Sequence, residues 1–179
     1  MTMLIEMFFE KLSYRLYKEN HLSDITWAMI ESCLDFRRLF IQFFFGEQVD
    51  VTSPISIKRE HSSGNCRADF YLKAGSVEYI IECKVNDGNH HFEDYRLEWP
   101  AAKLGYIANY DIKDVLGYEI RTWKGFYTYI LSFLETGEMD VTSRELICGY
   151  LQYLKGICGI FKIEKMKLDG LIANRFARG

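Results

Sequence analysis

The sequence predicts a single α/β domain over residues 1–179, with a central mixed β-sheet that opens as an antiparallel meander and is flanked by helices. Three observations predict it. The apolar residues recur in three- and four-residue steps over 3–45, alternate over 55–86, and return to helical spacing after 124. The alternating runs are separated by the turn segments SSGN and AGS. A length of 179 residues, 49% of them hydrophobic and only two of them proline, suits one core that needs no staples.

The elements follow in order. Residues 3–18 read as an amphipathic helix with Leu4, Phe8, Leu12 and Leu16 along one face. Ser23 is the expected N-cap of a second helix, over 24–45, whose stripe is Ile25, Met29, Cys33, Phe36, Phe40, Phe43 and Phe44, and which Gly46 ends. A helix packed on a sheet explains this stripe better than a cofactor or membrane role. Strands are expected at 55–61, 66–73 and 77–86, then a short helix at 90–99 stopped by Pro100. Further strands are expected at 104–110 and 118–123, and helices over about 124–160. The last clear helix opens at Thr142, where Thr-Ser-Arg-Glu fits a capping box closed by Glu145.

Composition excludes several functions. Five scattered cysteines without a CxxC fit neither a disulfide framework nor a zinc ribbon, and point to free thiols in a reducing compartment. The N-terminus lacks a basic segment ahead of its apolar residues and carries Glu6 and Glu10 among them, so no signal peptide is expected. No stretch reaches the length of a membrane span. A cytoplasmic protein is the expectation. A net charge of −3 gives no basic field for tight, non-catalytic nucleic-acid binding, whereas an acidic metal site accommodates it.

The chemistry concentrates on two strands. Alternation puts Tyr79, Ile81, Cys83 and Val85 on one face of strand 77–86, and Ile80, Glu82 and Lys84 on the other. Strand 66–73 likewise sets Ala68, Phe70 and Leu72 against Arg67, Asp69 and Tyr71. The hairpin centres near Ala74–Gly75, which brings Asp69 opposite residues 80–82 and within roughly 5–8 Å of Glu82. Two carboxylates on one face repel each other unless a cation lies between them, and a hard divalent cation with oxygen ligands is the usual solution. Lys84 stands about 6–7 Å farther along the strand from Glu82. Under helices, such a face would not tolerate unpaired charge. A Glu-x-Lys on a strand is by itself more often a solvated face, so the weight rests on the pair of strands.

The segment CRADFYLKAGSVEYIIECKVNDGNHHFEDY resembles the core of the PD-(D/E)xK nuclease superfamily. Its parts are Arg67-Ala68-Asp69, then Ile80-Ile81-Glu82-Cys83-Lys84, then His91-Phe92-Glu93-Asp94-Tyr95. KENHLSDITWAMIESCL is similar to the first-helix region of that family, with Glu19 at the position of a metal-facing acid and Asp24 and Glu31 behind it. The match covers roughly residues 19–123. Two positions depart from the pattern: Ala68 replaces the usual proline, and His91 replaces the usual glutamine, adding pH dependence near the ordinary histidine pKa of about 6.5. The resemblance implies a restriction-endonuclease-like fold and phosphodiester hydrolysis with Mg²⁺ or Mn²⁺, on DNA in preference to RNA. It implies Asp69, Glu82 and the Cys83 main-chain carbonyl as metal ligands, with Glu19 a further candidate. Lys84 would act on the attacking water, with Arg67, His91 and Tyr95 as supporting contacts to phosphate or to the ligands. Homodimerisation or membership of a larger complex stays open, and no membrane partner is implied.

Two rivals to this reading are weighed by the residues themselves. The first is the same fold with catalysis lost, used as a binding or assembly module; the complete Asp, Glu and Lys set argues against it. The second is a thiol or zinc site. His90 and His91 point to different sides of any regular element, His21 and His61 lack partners at ligand spacing, and alternation buries Cys83 in the core.

Overall fold

A computed structural model describes residues 2–46, 55–85 and 91–159. The helices are α1 (Thr2–Arg15), α2 (Glu19–Ser32), α3 (Leu34–Phe45), α4 (Phe92–Glu98), α5 (Trp123–Thr136) and α6 (Val141–Ile157). The strands are β1 (Ile55–Ser63), β2 (Cys66–Ala74), β3 (Val77–Cys83), β4 (Lys103–Ala108) and β5 (Tyr118–Thr122). They form one mixed sheet in the order β1-β2-β3-β4-β5, antiparallel through β3 and parallel from β3 to β5. The α/β class and the opening meander expected from the sequence are both present.

The two hairpins set the register. Ala74 pairs with Val77 and Ser63 with Cys66, leaving two-residue turns whose Gly75 and Gly64 take φ of 59° and 52°. Turns this tight need positive φ, which glycine adopts without a Cβ clash. The parallel pair β3–β4 needs a crossover, and α4 lies within it.

The sheet divides the interior into two unequal layers. Phe70, Leu72, Tyr79, Ile81, Cys83 and Val85 pack with α2, α3, α5 and α6, and all six are buried as alternation requires. On the other face Ala68, Tyr71, Ile80 and Leu104 pack with Tyr95 and Trp99 around α4. Ala68 therefore sides with Tyr71 and not with Phe70. The strict alternation expected for this strand slips by one residue at Asp69.

Several helix expectations are corrected. The helix expected over 24–45 is two helices, because Cys33 is extended (φ −124°, ψ 107°). The freed carbonyls of Ile30 and Glu31 take hydrogen bonds from the Arg37 guanidinium, which satisfies the end of α2 without glycine or proline. Ser23 is not an N-cap; it is buried one turn inside α2 and donates its hydroxyl to the Glu19 carbonyl. The last helix opens before Thr142, with Asp140 as the cap accepting from the Ser143 amide.

Half of the face expected for α1 is not packed: Leu4 and Phe8 are 68% and 59% exposed. The packed side runs through Phe9, Leu12 and Leu16, and α1 lies on α6 rather than on the sheet. Ile5 and Phe9 press on Gly149, Ser13 presses on Gly156, and the Tyr153 hydroxyl donates to the Leu16 carbonyl. Asn86, His90 and the end of the C-terminal helix expected at 160 lie outside the described residues. Among the described residues, no helix is long and apolar enough to cross a membrane.

Candidate active site

The site forms where β2 and β3 stop pairing. Their ladder ends at Phe70↔Ile81, so Asp69 and Glu82 stand opposite one another one step beyond it. There the Asp69 side chain takes over as acceptor, and the Cys83 amide donates to its Oδ2 at 2.9 Å. On its other side β3 is held firmly. Glu82 and Cys83 pair with Tyr106 and Ile107 of β4, the Lys84 amide donates to the Ile107 carbonyl, and the Trp123 indole donates to the Lys84 carbonyl. A splayed strand end on one side and a fixed one on the other present the acidic side chains while the backbone stays put.

Lys84 is buried, and its ammonium lies 3.0 Å from Glu82 Oε1 and 3.3 Å from Glu19 Oε1. Glu19 opens α2 and accepts from the Val85 amide through Oε2 at 2.8 Å. The first turn of that helix is thereby tied to the end of β3. The Tyr95 hydroxyl of α4 lies 2.9 Å from Glu82 Oε2 and also reaches the Arg67 carbonyl. Asp69, Glu82, Lys84, Glu19 and Tyr95 are thus brought together as the sequence expected.

Arg67 and His91 are not brought in to the same degree. The Arg67 side chain is 66% exposed, with only a long contact to Glu60 at 3.9 Å among the described residues; its carbonyl, not its charge, touches the site. His91 is exposed beside Asp94 at 3.4 Å and stacks loosely over Tyr95. Cys83 turns its thiol into the core, where it is 1% exposed, and burial foremost holds it well above the ordinary thiol range. A thiol there is not a nucleophile.

Arg59 was not foreseen. Its side chain is 9% exposed, and its Nη1 bonds Asp69 Oδ1 at 2.9 Å while its Nε bonds Asp24 Oδ1 at 3.1 Å. The signal was available in principle. The Ser63–Cys66 turn pairs Arg59 with Phe70, next to Asp69. Between Arg59 and His61, Glu60 falls opposite Asp69 with a φ of 53°, a left-handed conformation rare for a residue with a Cβ. Tyr106 was also missed; it becomes a neighbour of Glu82 only through the parallel register of β4.

The electrostatics are those of crowded acids. Burial, and then the charge of Glu82, push the Asp69 carboxyl up to about 7, against the opposing pull of the Cys83 amide, Arg59 and Lys84. Burial opposes the Lys84 ammonium, but Glu82, Glu19 and Asp69 outweigh it and hold its pKa above the ordinary lysine value. Burial foremost, and then Glu82, keep Tyr95 protonated far beyond the usual phenol range. Among the described residues, five carboxylates (Glu19, Asp24, Glu60, Asp69, Glu82) are linked by ion pairs to three cations, the largely buried Arg59, the buried Lys84 and the exposed Arg67. The cluster keeps an excess of acid. All four carboxylate oxygens of Asp69 and Glu82 already have a protein partner. Among the described residues, no three acid, imidazole or thiol side chains close around a point that a metal would fill.

A separate cavity of about 400 Å³ is lined by Phe45, Lys103, Leu104, Tyr118 and Glu119, and no carboxylate of the site lines it. No protein-family profile matches the chain, and no curated protein or solved structure matches it either.

Proposed function

We propose that this chain is a Mg²⁺- or Mn²⁺-dependent nuclease with a restriction-endonuclease-like fold, hydrolysing phosphodiester bonds in DNA in preference to RNA. One observation carries the reading: Asp69, Glu82, Glu19 and Lys84 converge at the splayed ends of β2 and β3, with acid left over after the ion pairs among the described residues are counted. The donor set fits a hard cation. Its oxygens are carboxylates, each oxygen keeps a second lone pair, and the raised Asp69 carboxyl marks charge that a cation would relieve. Asp69, Glu82 and the Cys83 carbonyl would hold the ion, with Glu19 able to join if it released Lys84. When bound, the ion supplies Lewis acidity at the phosphate and a water of lowered pKa. Lys84 keeps a positive charge beside the attacked phosphate and orients the water. Tyr95 fixes the Glu82 carboxylate through its hydroxyl. Arg67 and His91 are exposed enough to meet a strand backbone at the rim.

A second reading is favoured by a different observation. Every carboxylate oxygen of Asp69 and Glu82 is already partnered, as in a closed structural ion-pair network. That is what a binding or assembly module with lost catalysis would show. Incubation with labelled DNA and RNA panels in Mg²⁺, Mn²⁺ or EDTA separates the two. Cleavage that needs the metal and is lost in Asp69→Ala and Lys84→Ala supports the nuclease. Cleavage that survives EDTA, or survives Asp69→Ala, refutes this site as its source.

A further inference from the structure

Arg59 has three acidic neighbours and only two of them hydrogen-bonded. Nη1 binds Asp69 Oδ1 at 2.9 Å and Nε binds Asp24 Oδ1 at 3.1 Å. Nη2 is buried without a hydrogen-bond partner among the described residues, and Glu60 Oε1 stands off at 3.7 Å. Glu60 is held opposite Asp69 in the left-handed backbone region, where a non-glycine residue stays only if its surroundings force it. Unlike Asp69, both Asp24 and Glu60 are open to solvent, so either can accept a closer guanidinium at little desolvation cost.

We propose that Arg59 is a resident counter-cation of the site: it neutralises Asp69 while the metal is absent, competes with the divalent ion for Oδ1, and moves toward Asp24 and Glu60 when the ion binds. This rests on the metal-dependent reading above. A guanidinium and a divalent ion on one carboxylate oxygen repel each other strongly in a buried place. Arginine cannot yield by losing a proton, because its guanidinium stays charged at any working pH. It has to yield by moving, and the unsatisfied Nη2 with Glu60 beside it gives the direction. The device keeps the crowded acids from destabilising the empty protein, and it sets a threshold concentration of cation for loading. Through Asp24 it also ties loading to α2, the helix that carries Glu19.

The test uses Mn²⁺ alone, without nucleic acid, following the electron-spin-resonance signal of free ion during titration of the whole chain and of Arg59→Met. Competition predicts that Arg59→Met binds Mn²⁺ more tightly, by about tenfold, since a full neighbouring charge is removed. It also predicts that the variant melts lower in EDTA and gains more from Mn²⁺ than the parent does. Should Arg59→Met not fold without metal, Arg59→Lys carries the test: it cannot span two carboxylates, and a smaller tightening is expected. Equal or weaker Mn²⁺ binding in the folded variant overturns the proposal, because Arg59 then only positions Asp69, and the metal reading stands. Absence of Mn²⁺ binding by both parent and variant overturns the metal reading and this proposal with it.

Discussion

Replacing Lys84 by alanine should destabilise the metal-free protein by an amount that the geometry sets. The ammonium is buried between Glu82 at 3.0 Å and Glu19 at 3.3 Å, so its loss leaves two carboxylates facing one another without a cation. Breaking a buried ion pair from one side costs about 3–5 kcal/mol. Two features soften that here. Glu19 keeps the Val85 amide and is partly open to water, and Glu82 keeps the Tyr95 hydroxyl. A loss of about 2–3 kcal/mol follows, and for a chain of this length it lowers the melting temperature by roughly 4–12 °C. Urea unfolding at pH 7 in EDTA measures it. Adding Glu82→Gln should recover part of the loss, because the repulsion goes with the charge, and a coupling of about 1 kcal/mol or more is expected from the cycle. On the proposed nuclease reading, saturating Mg²⁺ should shrink the single-variant loss, since a bound cation would take over the role of the ammonium, and hydrolysis should fall by about 10²–10⁴. A cost below about 0.5 kcal/mol in EDTA, with the two substitutions additive, would show that Lys84 is solvated and the ion-pair geometry wrong.

Asp69 gives a pH dependence of definite sign. Its folded pKa, near 7, is raised above the ordinary value of about 3.9, so its stabilising contribution is full below pH ~4 and is lost as pH rises through about 7. In EDTA, urea midpoints of the parent should therefore fall relative to those of Asp69→Asn between pH 4.5 and 7.5; a constant difference between the two proteins would refute the shift. Gly105 lies under Phe44, whose Cδ1 would stand 2.8 Å from an added Cβ, with Ile81 at 3.2 Å. Gly105→Ala should cost about 1–3 kcal/mol by overpacking, read from thermal melting, and a neutral result would show that the helix–sheet contact is looser than described.

How much of this was legible in the sequence depends on which physical rule each feature obeys. Alternation and turn chemistry are local, and they were enough for the meander, the burial of Phe70, Ile81 and Cys83, and the placing of Asp69 opposite Glu82 just beyond the ladder. The α1 face was not legible in that way. Apolar residues run all round its first two turns, and Ile5 and Phe9 win over Leu4 and Phe8 only because Gly149 of α6 offers them a groove. Nor was the break at Cys33, since the residue that satisfies the broken helix end, Arg37, lies beyond the break and acts through its side chain. The order of β4 and β5 rests on parallel pairing, which no turn signals.

Arg59 is the instructive case. The arithmetic that placed Asp69 opposite Glu82 from the Ala74–Val77 turn also places Arg59 opposite Phe70 from the Ser63–Cys66 turn. Register alone would nonetheless send Arg59 to the Phe70 face, away from a regularly alternating Asp69. Two local irregularities bring them together: the one-residue slip of alternation at Asp69, and the left-handed backbone at Glu60 directly across from it. Neither carries a glycine that would announce it. Both sit where the β2–β3 ladder ends, and there the Asp69 carboxylate gains two hydrogen bonds, from Arg59 and from the Cys83 amide. The departure from strand geometry and the collection of charge are therefore one feature. Glu60→Gly keeps the left-handed backbone and removes its Cβ penalty, so it should leave the Arg59–Asp69 contact in place and raise stability slightly. If it instead lowers stability by more than about 1 kcal/mol, the Glu60 carboxylate itself, rather than its backbone, is what the site requires.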